Sequence, residues 1–367
     1  MGSGSPRSRL EALPRRRLAP LQTPLDPAPR LSAAIGVEVW LKRDDVGSVG
    51  LAGNKVRKLE LLLAEALEAG SDTVVTVGAA QSNHARATAA ACAALGLRCR
   101  LVLGGAETAP AANVLLDGVF GAELVLPGTV TWGALEARVA AEAAQLREDG
   151  ARVAELPLGG STPLGALGFA LAYLELSAQL GDRGLSAEAV VHASTSGGTH
   201  AGLLVGRAVA GGGPGVLGVA AADDIHPDAD AHHGRLAAEA AALIGLGRAP
   251  GPADVALERG FVGPGYGEPD DATLDAIDLL ARTEGVLCDP VYSGKALAAL
   301  VDGARRRRWR GPVVFWHTGG WQAAFAPRYA EALWGRASDP SPRASARRSR
   351  AASSSTRRSP SPRDRPS

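Results

Sequence analysis

Seven short apolar runs alternate with helix-patterned segments along most of this chain, and this alternation constrains the fold most strongly. The predicted strands cover residues 37–41, 73–77, 98–103, 122–126, 189–193, 216–220 and 312–316. Predicted helices at residues 56–69 and 83–95 have apolar side chains at helical spacing and end at Gly70 and Gly96. Strands that alternate with helices are typical of parallel sheets, so the predicted fold class is α/β.

The length of 367 residues allows two such domains in one chain, with a core that needs no disulfide or metal to stabilise it. The cysteines, Cys92, Cys99 and Cys288, are odd in number and lack CxxC spacing, which fits a reducing cytoplasm. No apolar run reaches the roughly 18 residues of a spanning helix, and no signal-peptide pattern follows the N-terminal arginines. We therefore expect a cytoplasmic protein with no membrane partner.

Positive charge is concentrated at the two ends of the chain. Residues 1–18 contain five arginines and one glutamate, and residues 337–367 contain eight arginines and two aspartates, although the net charge is only +1. Such segments bury too little apolar surface to offset the entropy of ordering, so we predict a disordered basic N-terminus over residues 1–18 and a disordered tail over residues 337–367. The tail lacks interleaved aromatic residues and adjoins an acidic body, so no nucleic-acid partner is expected.

A glycine-rich loop at residues 194–202 (STSGGTHAG) lies between a predicted strand and a helix-like run. Glycines let the backbone approach an anion, and the amide groups and helix dipole at such a junction favour phosphate. The loop lacks both the P-loop ending and the GxGxxG spacing, which favours a monophosphate cofactor over a nucleotide. A plain strand-to-helix turn would use the same residues, and the loop alone does not decide between the two interpretations.

Lys55 lies where a loop enters the predicted helix at residues 56–69. Taken alone it would be a solvated surface lysine, but Arg57 and Lys58 add positive charge nearby. Neighbouring positive charge favours the neutral amine that an imine-forming lysine needs. Residues 81–86 (QSNHAR) open a second helix, where Ser82 either caps the helix or lies among amide groups that bind a substrate carboxylate.

Histidines and aspartates in the second half of the chain raise the question of a metal site. The group consists of Asp223, Asp224, His226, His232 and His233. Because the flanking run is rich in alanine and predicts an exposed helix, we expect no metal. His317 ends a predicted strand, and a hydrogen-bonded core residue is favoured there over a catalytic base.

Nine motifs in a fixed order carry a family resemblance. They are residues 40–45 (WLKRDD), 53–60 (GNKVRKLE), 81–84 (QSNH), 157–161 (PLGGS), 164–168 (LGALG), 196–202 (SGGTHAG), 263–267 (GPGYG), 289–295 (DPVYSGK) and 317–320 (HTGG). Each motif is weak alone, but together they resemble the D-cysteine desulfhydrase and 1-aminocyclopropane-1-carboxylate deaminase family of pyridoxal-phosphate enzymes. The resemblance implies the tryptophan synthase β-like fold (fold type II) with two parallel-sheet α/β domains.

The same resemblance implies a domain division, an oligomeric state and a set of site residues. The small domain would cover residues 59–167 and the large cofactor-binding domain residues 19–58 and 168–336, in a homodimer. Lys55 would hold pyridoxal 5'-phosphate covalently and then act as the base at the substrate α-carbon. Asn83 would bind the phenolic oxygen of the cofactor, and the phosphate would be held by Lys58, Thr195, Ser196, Gly197, Gly198 and Thr199. Ser82 would bind the carboxylate of a small amino-acid substrate, which Tyr266 and Tyr292 would face.

The residue type at position 293 differs between the branches of this family. It stands where the partner of the cofactor's pyridine nitrogen is expected, and in this chain it is Ser293. The deaminase branch usually has glutamate there, whereas a hydroxyl leaves the nitrogen largely neutral and suits β-elimination. The predicted reaction is β-elimination from D-cysteine to pyruvate, hydrogen sulfide and ammonia. L-cysteate sulfo-lyase and the deaminase remain alternatives. Ala52 and Trp321 depart from the family pattern, so a non-catalytic pyridoxal-phosphate-binding protein is the alternative of a different class.

Overall fold

The computed structural model describes residues 4–20, 22–47, 49–105, 110–222, 226 and 228–337. Within these ranges the chain forms ten strands and twelve α-helices. The strands are β1 (Leu25–Pro27), β2 (Val39–Arg43), β3 (Thr73–Ala79), β4 (Arg98–Gly104), β5 (Glu123–Gly128), β6 (Val153–Leu156), β7 (Ala189–Ser194), β8 (Gly215–Ala220), β9 (Leu257–Glu258) and β10 (Val313–His317). The helices are α1 (Pro6–Glu11), α2 (Pro29–Ile35), α3 (Lys55–Glu68), α4 (Asn83–Leu95), α5 (Ala112–Val119), α6 (Trp132–Glu148), α7 (Pro163–Asp182), α8 (Gly198–Val209), α9 (Ala229–Leu243), α10 (Asp271–Glu284), α11 (Ser293–Arg305) and α12 (Pro327–Ala337).

The strands form two sheets. The larger sheet has the order β1-β2-β10-β7-β8-β9, and the smaller has the order β5-β4-β3-β6. Every neighbouring pair is parallel except β1 and β2, which pair antiparallel. All seven predicted strands are present, and the α/β prediction is confirmed. The unpredicted strands β1, β6 and β9 have only 3, 4 and 2 residues.

The predicted domain division agrees with the sheets but cuts through two helices. All four strands of the smaller sheet come from residues 73–156, which lie inside the predicted small domain. However, the boundaries at residues 58/59 and 167/168 fall inside the continuous helices α3 and α7. Both helices contact each other, and α3 also packs against α4. The division into these two domains therefore stays a prediction, with α3 and α7 shared between the two units.

Helix α7 runs through the centre of the fold. By length and composition alone it could cross a membrane, and the sequence analysis did not pick out this run. In the fold, 67% of its apolar stretch is buried. It packs against α3, α8 and α9, where Phe169 and Tyr173 are fully enclosed. Its apolar character is therefore explained by packing between helices.

The prediction of a disordered N-terminus is wrong for the described residues. Helix α1 begins after Ser5, whose hydroxyl accepts from the Ser8 amide at 3.1 Å. Leu10 is fully buried in a cluster with residues of α7 and α9. Arg9 Nε donates to the Ile244 carbonyl at 2.7 Å, so a charged side chain satisfies the end of α9. The predicted tail, except residue 337 at the end of α12, lies outside the described residues.

Candidate active site

A cleft opens where the two sheets meet, at the carboxyl ends of β3, β7 and β10. In open parallel sheets, ligands bind at this edge because the loops that leave the strands converge there. The cleft contains many of the predicted site residues: it is lined by Asn54, Lys55, Ala79, Ser82, Asn83, His84, Trp132, Leu158, Gly159, Ala193, Ser194, Thr195, Ser196, Gly197, Thr199, Tyr266, Tyr292 and Thr318.

The glycine-rich loop joins β7 to α8 and forms one end of this cleft. Gly197 has a φ of 83°, in the left-handed region that favours glycine, and as the N-cap residue of α8 it has no side chain to cap the helix. A Cβ atom on Gly198 would lie 2.6 Å from Lys58 Nζ and 2.8 Å from Ser161 Oγ. The buried Thr195 Oγ1 has no hydrogen-bond partner among the described residues. A helix start whose N-cap residue is glycine, with an unpartnered hydroxyl beside it, fits a bound phosphate better than a plain turn.

Lys58 brings a buried amine to the same place. It is 1% exposed, and its Nζ donates to the Gly159 carbonyl and to Ser161 Oγ, each at 3.1 Å. Burial, and then the charge of Lys55, hold the pKa of Lys58 well below its ordinary value. Because a buried amine beside helix amide groups is stabilised by a negative charge, the pocket fits a phosphate group.

Ser161 belongs to this pocket, although the sequence analysis gave it no role. Its hydroxyl accepts from the Gly198 amide at 3.2 Å and lies 2.8 Å from Ser196 Oγ. Thr199, in the first turn of α8, accepts from Asn54 Nδ2 at 3.1 Å. The phosphate pocket is therefore assembled from three separate stretches of the chain, around Lys58, Ser161 and Gly198.

Lys55 is the first residue of α3 and lies on the cleft wall. The chain has four lysines. Lys42 pairs with Glu175, Lys58 lies in the phosphate pocket, and Lys295 donates to three backbone carbonyls. Only the Lys55 amine makes no hydrogen bond or ion pair within the described parts of the chain, and burial lowers its pKa to about 8. It is therefore the lysine available for covalent chemistry.

This lowered pKa predicts a pH dependence for covalent capture of an aldehyde by Lys55. Only the neutral amine is nucleophilic, so the rate should rise about tenfold per pH unit below pH 8 and level off above it. Rapid mixing of the apo-protein with pyridoxal phosphate, followed by absorbance, measures this rate. The variant Lys55→Ala should show no covalent phase at any pH. A rate that still rises tenfold per unit near the ordinary lysine pKa of 10.5 would contradict the prediction.

Asn83 is held in one orientation by a residue that the sequence analysis missed. Asn113, buried in the first turn of α5, donates through Nδ2 to Asn83 Oδ1 at 2.9 Å. The backbone amide of Asn113 in turn donates to Gln81 Oε1 at 2.9 Å. Since the Asn83 oxygen accepts from Asn113, the Asn83 amide NH₂ remains available to donate into the cleft.

Ser82 caps α4, as one of its two interpretations proposed. Its Oγ accepts from the Ala85 amide at 3.1 Å, and the residue also lines the cleft. Capping uses the hydroxyl as an acceptor only, so its hydrogen remains available to donate. The two interpretations are compatible, and binding of a substrate carboxylate by Ser82 stays a prediction.

Tyr266 and Tyr292 lie together on the cleft wall, and their hydroxyl groups are hydrogen-bonded to each other. Burial, and then the neighbouring Tyr266, raise the pKa of Tyr292 well above its ordinary value, so it stays protonated. Trp132, at the start of α6, meets the Tyr266 ring edge-to-face at a centroid distance of 6.4 Å. Trp132 encloses this end of the cleft, although it lies in none of the nine sequence motifs.

Ser293 occupies a different environment from its two tyrosine neighbours. It is buried and is not among the residues that line the cleft. Its hydroxyl donates to Asp289 Oδ1 and accepts from the Asp289 amide at 2.9 Å. Contact of Ser293 with the pyridine nitrogen stays a prediction, and it would require the hydroxyl to turn away from Asp289.

The departures at Ala52 and Trp321 do not crowd the site, because neither residue lines the cleft. Ala52 is buried with a φ of 64°, which explains why glycine is usual at this position. Trp321 Nε1 donates to the Asp45 carbonyl at 3.4 Å, and its ring packs against Phe325. The alternative of a non-catalytic protein rested on these two departures, and it therefore loses its structural support.

His317 lies in the core, and both nitrogens of its ring are hydrogen-bonded. His317 Nδ1 accepts from the Gly319 amide at 3.1 Å and Nε2 donates to the Leu287 carbonyl at 3.2 Å, which confirms a hydrogen-bonded core residue.

The prediction of an exposed helix is wrong for α9, because His233 and the apolar face of α9 pack against α8 and α7. No metal-binding group of three side chains occurs among the described residues, and Asp223 and Asp224 lie outside them.

Comparisons with known proteins agree with this geometry. The model of the pyridoxal-phosphate dependent enzyme family matches residues 17–319. The chain belongs to this family. D-cysteine desulfhydrases from Salmonella choleraesuis (strain SC-B67) and Salmonella newport (strain SL254) are 40% and 39% identical to it over 330 and 329 residues. Each alignment covers 88% of this chain and 98% of the relative.

Solved structures support the same fold. An ACC deaminase homologue superposes with a TM-score of 0.81 and 34% identity, covering 91% of this chain and 99% of that chain. A threonine deaminase from T.th. gives a TM-score of 0.58 and 25% identity, covering 81% of this chain and 92% of that chain. The family resemblance, fold type II and the pyridoxal-phosphate cofactor are thereby confirmed.

Proposed function

We propose that this protein is a lyase that converts D-cysteine and water to pyruvate, hydrogen sulfide and ammonia. The single observation that carries the proposal is the Lys55 amine in the cleft, between the phosphate pocket and the tyrosine pair. This amine makes no hydrogen bond or ion pair with the described residues. The similarity to the Salmonella D-cysteine desulfhydrases, at about two-fifths identity over nearly their whole length, supports the choice of substrate. Cofactor binding would use Lys58, Asn83, the loop residues 195–199 and, if its hydroxyl turns, Ser293.

In this proposal, the residues of the chain orient the substrate and move its protons. When bound, the cofactor supplies an electron sink for the charge that develops at the substrate α-carbon. The Ser82 hydroxyl and the amide groups at the start of α4 hold the substrate carboxylate. The Lys55 amine removes the α-proton, which its lowered pKa of about 8 favours at neutral pH.

The tyrosine pair suits the departure of the thiol. The bond between the β-carbon and sulfur breaks with its electron pair on sulfur, so the leaving group gains from a nearby proton donor. Tyr292 remains protonated because burial raises its pKa, and its hydroxyl is already linked to that of Tyr266. The three-carbon product then takes up water to release ammonia and pyruvate.

A substrate panel tests this function. Purified protein loaded with pyridoxal phosphate is given D-cysteine, L-cysteine, L-cysteate or 1-aminocyclopropane-1-carboxylate, and keto acid release is followed with a coupled dehydrogenase. We expect D-cysteine to be turned over fastest, with release of sulfide. Sulfite from L-cysteate would assign a sulfo-lyase, and 2-oxobutanoate from the cyclopropane would assign the deaminase. A yellow protein that releases no keto acid from any of them would favour the non-catalytic alternative.

We also propose that the protein works in the cytoplasm as a homodimer. All three cysteines are buried free thiols, which fits a reducing compartment. Helix α5 contacts the 3-10 helix Trp321–Phe325, which is also hydrogen-bonded to the Leu51 carbonyl. These neighbouring elements expose four apolar side chains, namely Leu51, Leu115, Val119 and Phe325. Val119 is 69% and Phe325 63% exposed, so this surface would gain from burial against a second copy.

A further inference from the structure

Two adjacent histidines of α9, His232 and His233, lie directly behind the loop that forms the phosphate pocket. Neither histidine lines the cleft, and the proposed reaction gives them no role. A Cβ atom on Gly197 would lie 2.3 Å from Cδ2 of His233 and 3.2 Å from Cδ2 of His232. Both imidazole rings therefore pack against the loop at the residue that precedes α8.

One of the two rings donates a hydrogen bond to a carbonyl of this loop. His233 Nε2 lies 3.4 Å from the Thr195 carbonyl oxygen, which can only accept, so Nε2 carries the hydrogen. His233 Nδ1 has no hydrogen-bond partner among the described residues. His232 contacts the loop by packing against Gly197.

This bond sets the direction of the Ser196 amide group. In a trans peptide the C=O and the following N–H point in opposite directions. When the Thr195 carbonyl is held towards α9, the Ser196 amide group points away from it. Thr195, Ser196 and Gly197 line the cleft and the two α9 histidines do not, so this amide group points to the cleft side of the loop.

The two rings are also fixed in place and uncharged. His232 stacks on His226 at a centroid distance of 3.6 Å, and His233 lies 5.7 Å from His200. Burial lowers the pKa of both rings, that of His233 to about 4. The neutral His233 ring has a single N–H, and that N–H is used on the loop.

We propose that His233 is a positioning residue for the cofactor phosphate, which holds the Thr195 carbonyl so that the amide group of Ser196 faces the phosphate. This inference deepens the proposed cofactor-binding role of the loop and rests on it. His233 touches the loop and not the cofactor, so it acts through the backbone.

Matched substitutions separate the hydrogen bond from the ring. His233→Phe keeps a ring against Gly197 but removes the donor, and His233→Gln places an amide donor near the position of Nε2. His232→Phe is the packing control, because His232 contacts Gly197 by packing. The dissociation constants of pyridoxal 5'-phosphate and of pyridoxal, which lacks the phosphate, are measured by titration of each apo-protein. Thermal unfolding of the same apo-proteins checks that they are folded.

We expect His233→Phe to weaken pyridoxal phosphate binding roughly two- to tenfold, the effect of one neutral hydrogen bond. Pyridoxal binding should stay unchanged, and His233→Gln and His232→Phe should bind the phosphate form as the wild type does. Equal weakening for both ligands, or equal effects of His233→Phe and His233→Gln, would overturn the proposal. If His233→Phe fails to fold, His233→Asn, whose shorter side chain does not reach the position of Nε2, takes its place. A wild type that binds the cofactor but turns over no substrate would refute the proposed reaction and leave this result unaffected.

Discussion

Replacement of Lys55 by alanine should lower turnover by roughly 10⁴-fold or more, because one side chain would both hold the cofactor and move the α-proton. None of the other three lysines can replace Lys55 in these two roles. Lys42 is fully buried and paired with Glu175, and Lys295 is fully buried on three backbone carbonyls. Lys58 is held by Gly159 and Ser161 in the phosphate pocket. Keto acid release under saturating D-cysteine measures the loss.

Lys55→Arg is the matched control for charge and length. Because a guanidinium stays protonated, it can neither form an imine nor accept the α-proton, and it should be as inactive as alanine. Borohydride reduction followed by mass spectrometry should find the cofactor attached to residue 55 of the wild type and absent from both variants. Turnover above one-hundredth of the wild-type rate in Lys55→Ala would assign the proton transfer to another group.

The parts of the fold that the sequence predicts are those with long, continuous patterns. Strands such as β3 and β7 are buried on both faces and therefore appear as nearly continuous apolar runs. The two-residue β9 has no such run and is a strand only because β8 supplies its hydrogen bonds. Helix α1 was missed for a similar reason, since its arginine-rich sequence predicts solvation until the carbonyls at the end of α9 are placed beside Arg9.

The site residues also fall into those that a short motif reveals and those that only tertiary contacts reveal. Lys55, Lys58 and the glycine loop could be predicted because their chemistry is unusual within a short motif. Asn113 could not, since its role depends on a contact with Asn83 across 30 residues of chain. Ser161 stood inside a recognised motif, but its function appears only where it meets Gly198, 37 residues away. Contacts of this kind follow from tertiary packing, which local patterns do not encode.

Asp289 shows how a residue in a recognised motif can matter for a reason that the motif does not reveal. Its buried carboxylate accepts from the amides of Val291, Tyr292 and Ser293 at 2.8–2.9 Å, and from the Ser293 hydroxyl. These amides lie at the start of α11, where a negative group also favours the helix dipole. The same bonds fix the backbone that carries Tyr292 into the cleft.

We therefore expect Asp289→Ala to destabilise the protein by at least about 3 kcal/mol, since it leaves three amides at the start of α11 without an acceptor. The melting temperature should fall by roughly 4 °C or more, since a protein of this length loses only about 1.3 °C per kcal/mol. Turnover of the fraction that remains folded should also fall, because Tyr292 loses its fixed position.

The control is Ser293→Thr, which keeps the hydroxyl that donates to Asp289 and should leave the melting temperature nearly unchanged. Ser293→Ala removes that donor and leaves the Asp289 amide without its acceptor, which should cost about 1–3 kcal/mol. If Asp289→Ala melts with the wild type, the carboxylate is not needed to hold the start of α11. If it melts early but Ser293→Ala does not, the backbone bonds to Val291 and Tyr292 carry the stabilisation, and the Ser293 hydroxyl is free to turn towards the cofactor.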